Sequence, residues 1–454
     1  MNPLRPTMKS KKNEIFELVI NRSLFKNPFD REIWTLAWPA LGALAADPLV
    51  SLIDTAFVGQ LGATPLGALG VNASIFSFTF WLFAFLAYGT TPMISRAISQ
   101  GHFSEAGAII NQALVLALLS GLLSLLVLQS VANPLIALMG AKGELAEATV
   151  QYYRIRACSA PAVLAIMAGH GIFRGFQDTK TPFYITLGLN LVNLVLDPIF
   201  IFAFGWGLAG AAWATLIAQW IGAGAFLFLF LLKRRKELQV PVIWPGWGSL
   251  IPLIKVGSAL VARTLALAGT LLIATGVATR LGTESVAAHN VALQLWLFLA
   301  LVIDALAIAS QALISKYYAL GKAVTAKRIA RRLLWLGLWL GLILMIGFFI
   351  GRDPLAKLFT NDHVVLQLVG EIFVFVAVMQ PLNALVFVWD GIFMGREDFR
   401  FLALAMVIAA GAAITLLRLV IPLDWGLTGV WWSLVALMVL RFVTLWWRYG
   451  TTRS

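Results

Sequence analysis

Two aspartates, Asp54 and Asp197, stand inside long apolar runs. An ionised carboxylate at membrane depth costs several kcal/mol, so each needs a partner or a task. Their depths can be compared by counting from the nearest turn. Asp54 lies about eight residues before the turn at Leu61, Asp197 about nine before Trp206, and Thr215 about nine after it. At about 1.5 Å per residue these three share one level. Asn193 is one helical turn from Asp197 on the same face. Two carboxylates, an amide oxygen and a hydroxyl can therefore converge from the first, fifth and sixth spans. Hard oxygen ligands of this kind suit a small cation such as Na+. Two close carboxylates equally suit a shared proton, and both chemistries stay open.

Other polar residues at depth form a second tier. Asp47 lies two turns from Asp54 on roughly the same face. It reads as a second protonation site, a substrate contact or a partner in a hydrogen bond between the first and second spans. Pro48 and Pro198 directly follow Asp47 and Asp197, and each removes a backbone donor, so both helices should bend near their acids. Arg263 and Asp304 lie at matched depth about the turn at Thr283, which predicts an ion pair; the alternative is an Arg263 that faces a cleft and attracts a carboxylate. Asn190, Gln294, Asp390, His170 and His289 are further polar candidates, and for each histidine a hydrogen bond between helices is expected. The single cysteine, Cys158, excludes an intrachain disulfide and a Cys-rich metal site.

The elements that must position these groups follow from composition. The chain is 60% hydrophobic and 12% charged, which only an integral membrane protein can accommodate. Twelve apolar spans are predicted, among them continuous helices at 147–172 and 363–392. Lys and Arg gather in the amino-terminal tail, at 233–236, around 316–332 and at Arg448 and Arg453, so the positive-inside rule places both termini in the cytoplasm. The net charge of +13 is then a topology signal and not a nucleic-acid surface, because the basic residues are spread over alternate loops. The first 30 residues are polar and hold no apolar signal-peptide core. No Walker A pattern and no stretch long enough for an ATPase domain are present, so no nucleotide and no cofactor are expected, and energy must come from an ion gradient.

The chain also repeats itself. The segment 61–101 aligns without a gap on 281–321, an offset of 220, and Gly171, Phe173, Gly175 and Asp178 fall on Gly391, Phe393, Gly395 and Asp398. GWGLAGAAW at 205–213 meets DWGLTGVWW at 424–432 with one residue deleted. The predicted organisation is a tail at 1–32, a first lobe at 33–232, a linker at 233–249, a second lobe at 250–447 and a tail at 448–454. Six spans per lobe make the copies parallel, related by a pseudo-twofold axis along the membrane normal. The fold class expected is an all-α membrane protein of twelve transmembrane helices in two six-helix lobes. The offset puts Asp54 opposite Ala274 and Asp197 opposite Leu416 or Leu417, so one lobe can hold a cation and the other cannot.

Four motifs carry a family resemblance. LVSLIDTAFVGQLG at 49–62, FRGFQDTKTP at 173–182, NLVNLVLDPIF at 190–200 and DALAIASQALI at 304–314 resemble the multidrug and toxic compound extrusion (MATE) family, in its DinF-like branch. The likeness spans about 33–447, and Asp47-Pro48 with the DTKTP loop is similar to that branch's citrate exporters. The resemblance implies an antiporter that exports a drug-like compound or organic acid in exchange for H+ or Na+. It also implies that Asp54, Asn193, Asp197 and Thr215 form the amino-lobe cation site. A monomer in the plasma (inner) membrane is expected, with the bilayer and a small organic substrate as its partners. Two other readings stand beside it: a flippase for a lipid-linked substrate, and an intramembrane aspartyl protease using the paired acids.

Overall fold

The computed structural model describes residues 27–233, 235–237, 239–241, 243–357 and 363–451. Most of the 1–32 tail and the end of the 448–454 tail lie outside them. Among the described residues the ordered structure is helical throughout. Ten single helices are long and apolar enough to cross a membrane, and two bent pairs bring the spans to twelve.

The first half contains α1 (Asp30–Gly59), α2 (Ala63–Ser99), α3 (Phe103–Leu138), α4 (Glu144–Ala157 with Ala160–Gly175), α5 (Lys180–Ala203) and α6 (Gly207–Lys233). The second contains α7 (Trp247–Leu281), α8 (Thr283–Ala319), α9 (Ala323–Ile350), α10 (His363–Val378 with Gln380–Gly395), α11 (Phe399–Val420) and α12 (Gly426–Thr451). The continuous helices expected at 147–172 and 363–392 are both broken, by 49° in α4 and 46° in α10. The cause is shared: Pro161 and Pro381, 220 residues apart, open the second segment of each pair, where proline's missing N–H costs nothing.

The repeat is visible in the packing. A methyl group on Gly171 would sit 2.4 Å from the Ala87 carbonyl oxygen, and one on Gly391 would sit 2.3 Å from that of Ala307. Likewise Gly121 presses on Pro161 Cα, and Gly341 on Pro381 Cα. All these pairs keep the offset of 220, so the same helix-to-helix approaches are built twice from the same small residues.

The one-residue deletion also has a structural counterpart. After Pro198, α5 runs through a π-helical turn at Ile199–Ala203, whereas α11 ends without one. A π-turn accommodates one inserted residue in an α-helix. Leu417 is fully buried, as Asp197 is, so the 220 offset holds along α11 and the gap falls in the π-turn.

The hydrogen bonds and ion pairs described between the halves all lie toward the end that carries the basic loops. Arg96 pairs with Glu397 at 2.8 Å, Lys316 with Glu32 at 2.5 Å, and Arg332 with Asp30 at 2.7 Å. Gln177 donates to the Ala312 carbonyl at 2.8 Å, Gln311 to that of Tyr88 at 2.6 Å, and Ser315 to that of Pro92 at 3.1 Å. Gln177 and Glu397 occupy equivalent positions, and both adopt left-handed backbone, with φ of 60° and 63°. Each helix end is thereby turned so that one side chain reaches across to the other half.

Candidate functional site

In the first half, Asp197 is fully buried and Asn193 nearly so, while Asp54 and Thr215 are partly buried. Asn193 Nδ2 donates to Asp197 Oδ2 at 3.0 Å. The carboxyl groups of Asp54 and Asp197 stand within hydrogen-bonding reach of each other. Yet Asp54 Oδ1 and Asp197 Oδ1 are both buried without a hydrogen-bond partner among the described residues. Two buried acceptors on adjoining carboxyl groups, neither of which meets a donor, offer a place for a proton or a cation. Thr215 Oγ1 donates to the Ala211 carbonyl at 2.9 Å. Pro198 contributes as well: lacking an N–H, it cannot donate to the Leu194 carbonyl as an α-helix requires.

Sequence reasoning missed two neighbours of this site. The Tyr152 hydroxyl lies within reach of Thr215, and Arg156 interacts with Tyr152 and acts electrostatically on Asp47 and Asp54. The Arg156 guanidinium is steered by the rings of Phe76 and Phe80, 5.5 and 5.8 Å away, and bonds the Ser159 hydroxyl at the break of α4. Depth counting could have found it, since it lies twelve residues inside the Glu144 end of α4, between the levels of Asp47 and Asp54. Asp47 is exposed and accepts a hydrogen bond from Asn190 Nδ2 at 2.8 Å, so its partner comes from α5 and not from α2 as expected, and these two candidates form one pair.

In the second half the expected Arg263–Asp304 ion pair is not made. Arg263 Nη2 bonds Asp390 at 2.5 Å, and Asp304 instead accepts from the Tyr88 hydroxyl of the first half at 2.8 Å. Matched depth was a correct inference about level, but three helices offer acids or hydroxyls at that level and rotation about each axis decides the partners. Asp390 also accepts from Arg441 Nη2 at 2.5 Å, a residue sequence reasoning passed over. Gln294 is exposed and belongs to neither cluster of described hydrogen bonds. His170 bonds Thr186 at 3.1 Å and His289 bonds Thr275 at 3.2 Å, as hydrogen bonds between helices. The positions equivalent to the acids, Ala274 and Leu417, are apolar and fully buried. Beyond the deletion, the fully buried Trp431 stands where the first half has the fully buried Ala212.

Two repeated six-helix halves, each with a broken fourth helix, joined around buried polar groups, define a multi-pass membrane transporter of the repeat-built class. The family follows from comparison. A family model described as MatE matches residues 39–199 and again 260–418, one copy in each half, and the chain belongs to that family. It is 37% identical over 442 residues to "Protein DETOXIFICATION 44, chloroplastic" of Arabidopsis thaliana, covering 92% of this chain and 82% of that one. It is 27% identical over 442 residues to "DNA damage-inducible protein F" of Escherichia coli (strain K12), covering 94% and 95%. The fold matches a solved structure described as "Outward-facing conformation of a multidrug resistance MATE family transporter of the MOP superfamily", with a TM-score of 0.82, 22% identity, and coverage of 94% and 96%.

Proposed function

We propose that the chain is a secondary antiporter that exports an organic solute in exchange for an inward cation, H+ or Na+. Asp54, Asn193, Asp197 and Thr215 hold the cation. The observation that carries this reading is the pair of buried, partnerless oxygens on Asp54 and Asp197. The proposed cycle uses this chain's own residues. With the basic loops in the cytoplasm, the ion pairs around Arg96, Lys316 and Arg332 seal the cytoplasmic end, and the state described faces outward. A cation arriving from outside lies between Asp54 and Asp197 and removes their mutual repulsion. The helix carrying Asp54 is the same one whose other end holds Glu32 and Asp30 in the seal, so loading at one end of α1 can bias packing at the other.

Both termini are assigned to the cytoplasm and the membrane to the plasma (inner) membrane. The chloroplastic name of one relative makes fractionation of plastid membranes the control in a compartmented cell. A monomer in the bilayer, without nucleotide or nucleic acid, completes the reading. The test is transport by the purified protein in proteoliposomes under separately imposed pH and Na+ gradients. One gradient should drive solute movement in the wild type, and neither should drive it in Asp54→Asn or Asp197→Asn. Unaltered gradient-driven rates in both variants would overturn the cation site.

A further inference from the structure

The acids of the first half have a neighbour of opposite charge that the repeat does not duplicate. Arg156 stands near the end of the first segment of α4, and the offset of 220 puts Val376 in its place in the second half. Tyr152 and Ser159, the two hydroxyls that adjoin it, become Ile372 and Met379. All three replacements are buried and apolar. The half that carries Asp54 and Asp197 therefore also carries an arginine and two hydroxyl partners that the shared packing does not require.

Helix capping does not account for Arg156. A basic side chain in the last turn favours the helix dipole, but the equivalent segment His363–Val378 ends with no basic residue in its last turn, and Arg154 already supplies one in this half. The surroundings of the guanidinium point elsewhere. Nη1 donates to the Ser159 hydroxyl, the Tyr152 hydroxyl is within reach, and the rings of Phe76 and Phe80 lie 5.5 and 5.8 Å away. Among the described residues these contacts are all neutral. A charged side chain at membrane depth ordinarily pairs with its opposite, yet Asp54 and Asp47 act on Arg156 through space, without an ion pair among the described residues. Ser159 is fully buried and its Oγ donates in turn to the Arg156 carbonyl at 2.7 Å, so the position is built into the break of α4. Asp54 thus has the Asp197 carboxyl within hydrogen-bonding reach and feels the field of a guanidinium held back from contact.

We propose that Arg156 sets how strongly the cation site binds: its fixed positive charge opposes the coupling cation at Asp54, and Ser159 keeps that charge at a working distance. This inference rests on the cation-site reading above and adds the control of affinity to it. A carrier must release its ion as well as load it, and two bare carboxylates without a counter-charge would hold a cation too tightly to let it leave inside.

The experiment is gradient-driven export from proteoliposomes, with citrate and tetraphenylphosphonium as probes, while the external cation is titrated: Na+ at constant pH, or protons at constant Na+. Arg156→Gln should lower the half-saturating cation concentration about tenfold or more, the effect of one neighbouring charge on a carboxylate site, and should lower the maximal rate, because a cation held more tightly leaves more slowly. Arg156→Lys keeps the charge and should return half-saturation toward the wild-type value. Ser159→Ala keeps the guanidinium but frees it to approach Asp54, so half-saturation should rise; this variant decides the matter should Arg156→Gln fold poorly. Asp54→Asn should abolish gradient-driven export at every cation concentration, and export in that variant would overturn the cation-site reading itself. Wild-type half-saturation in both Arg156→Gln and Ser159→Ala, with Asp54→Asn inactive, would overturn the role of Arg156 alone, as would a rise in half-saturation in Arg156→Gln, the sign expected of lost structure. Failure of the wild type to move either probe under either gradient would overturn the antiporter reading and this one with it.

Discussion

Replacing Asp197 by asparagine separates a coupling site from a structural hydrogen bond, because the two roles predict opposite signs for stability. In the wild type Asn193 already satisfies Asp197 Oδ2, while Asp197 Oδ1 and Asp54 Oδ1 lack partners among the described residues. The new amide can keep its carbonyl toward Asn193 and turn its N–H toward Asp54. One orphaned acceptor then disappears and the other gains a donor. Each unmet buried acceptor costs about 1–3 kcal/mol, so with two relieved the variant should exceed the cation-free wild type in stability by on the order of 2–6 kcal/mol. A coupling cation at about 100 times its dissociation constant should restore about 2.7 kcal/mol to the wild type and nothing to the variant, which narrows the gap. Unfolding in detergent, followed by the fluorescence of the 17 tryptophans, measures this, and gradient-driven transport should be absent throughout. A variant less stable than the cation-free wild type would show that the acids are helix glue, and one that still transports under a gradient would refute the coupling role.

Three further outcomes follow from the packing. Gly171→Ala and Gly391→Ala should each destabilise by about 1–3 kcal/mol through overpacking, since each new methyl would meet a carbonyl at 2.4 or 2.3 Å; Gly70→Ala, with open space around it, is the control in thermal unfolding. Arg96→Gln should loosen the seal by about 0.2–1 kcal/mol, as its pair with Glu397 is partly exposed, whereas loss of the more buried, doubly bonded Arg332–Asp30 pair should loosen it more. Distance measurements between spin labels on α2 and α8 at that end would register both shifts, and no change in either variant would refute the seal. Ala274→Asp should cost several kcal/mol in unfolding experiments without adding cation binding, because the buried positions equivalent to Asn193, Asp197 and Thr215 are Ala413, Leu417 and Leu434, which offer no side-chain oxygen.

Much of this architecture was legible in the sequence because it depends on one coordinate. Span length, loop charge and the 220-residue offset all run along the chain, and a bilayer converts position along a helix into depth. Depth counting accordingly put Asp54, Asn193, Asp197 and Thr215 at one level, and the structure sets Asp54 beside the hydrogen-bonded Asn193–Asp197 pair, with Tyr152 within reach of Thr215. Depth says nothing about rotation around a helix axis or about which helices adjoin. That is why Arg263 was assigned to Asp304 when Asp390 was the neighbour. Arg441 was passed over altogether: it lies two turns inside Arg448 within the last span, and depth alone does not show that it turns toward Asp390.

The departures from the repeat are more informative than the repeat itself. A duplicated scaffold gives each half the same close approaches at Gly171 and Gly391 and the same broken helix at Pro161 and Pro381. Equivalent packing should therefore favour equivalent side chains. The positions that escape this are the charged ones: Asp54 and Asp197 against Ala274 and Leu417, and Arg263, Asp390 and Arg441 against Ala43, His170 and Gly222. Around the first set Asp54 and the exposed Asp47 act on the single Arg156, whereas around the second three guanidiniums stand beside two carboxylates. Buried charge of this cost persists only when something offsets it, and packing alone would favour the neutral residues found in the opposite half. The π-turn belongs to the same pattern, since its extra residue follows Asp197-Pro198 and is missing where Leu417 stands. Under the antiporter reading, an inserted residue that unsettles backbone hydrogen bonds beside a buried acid serves where the acid has to exchange a ligand, and it is dispensable where the helix merely packs.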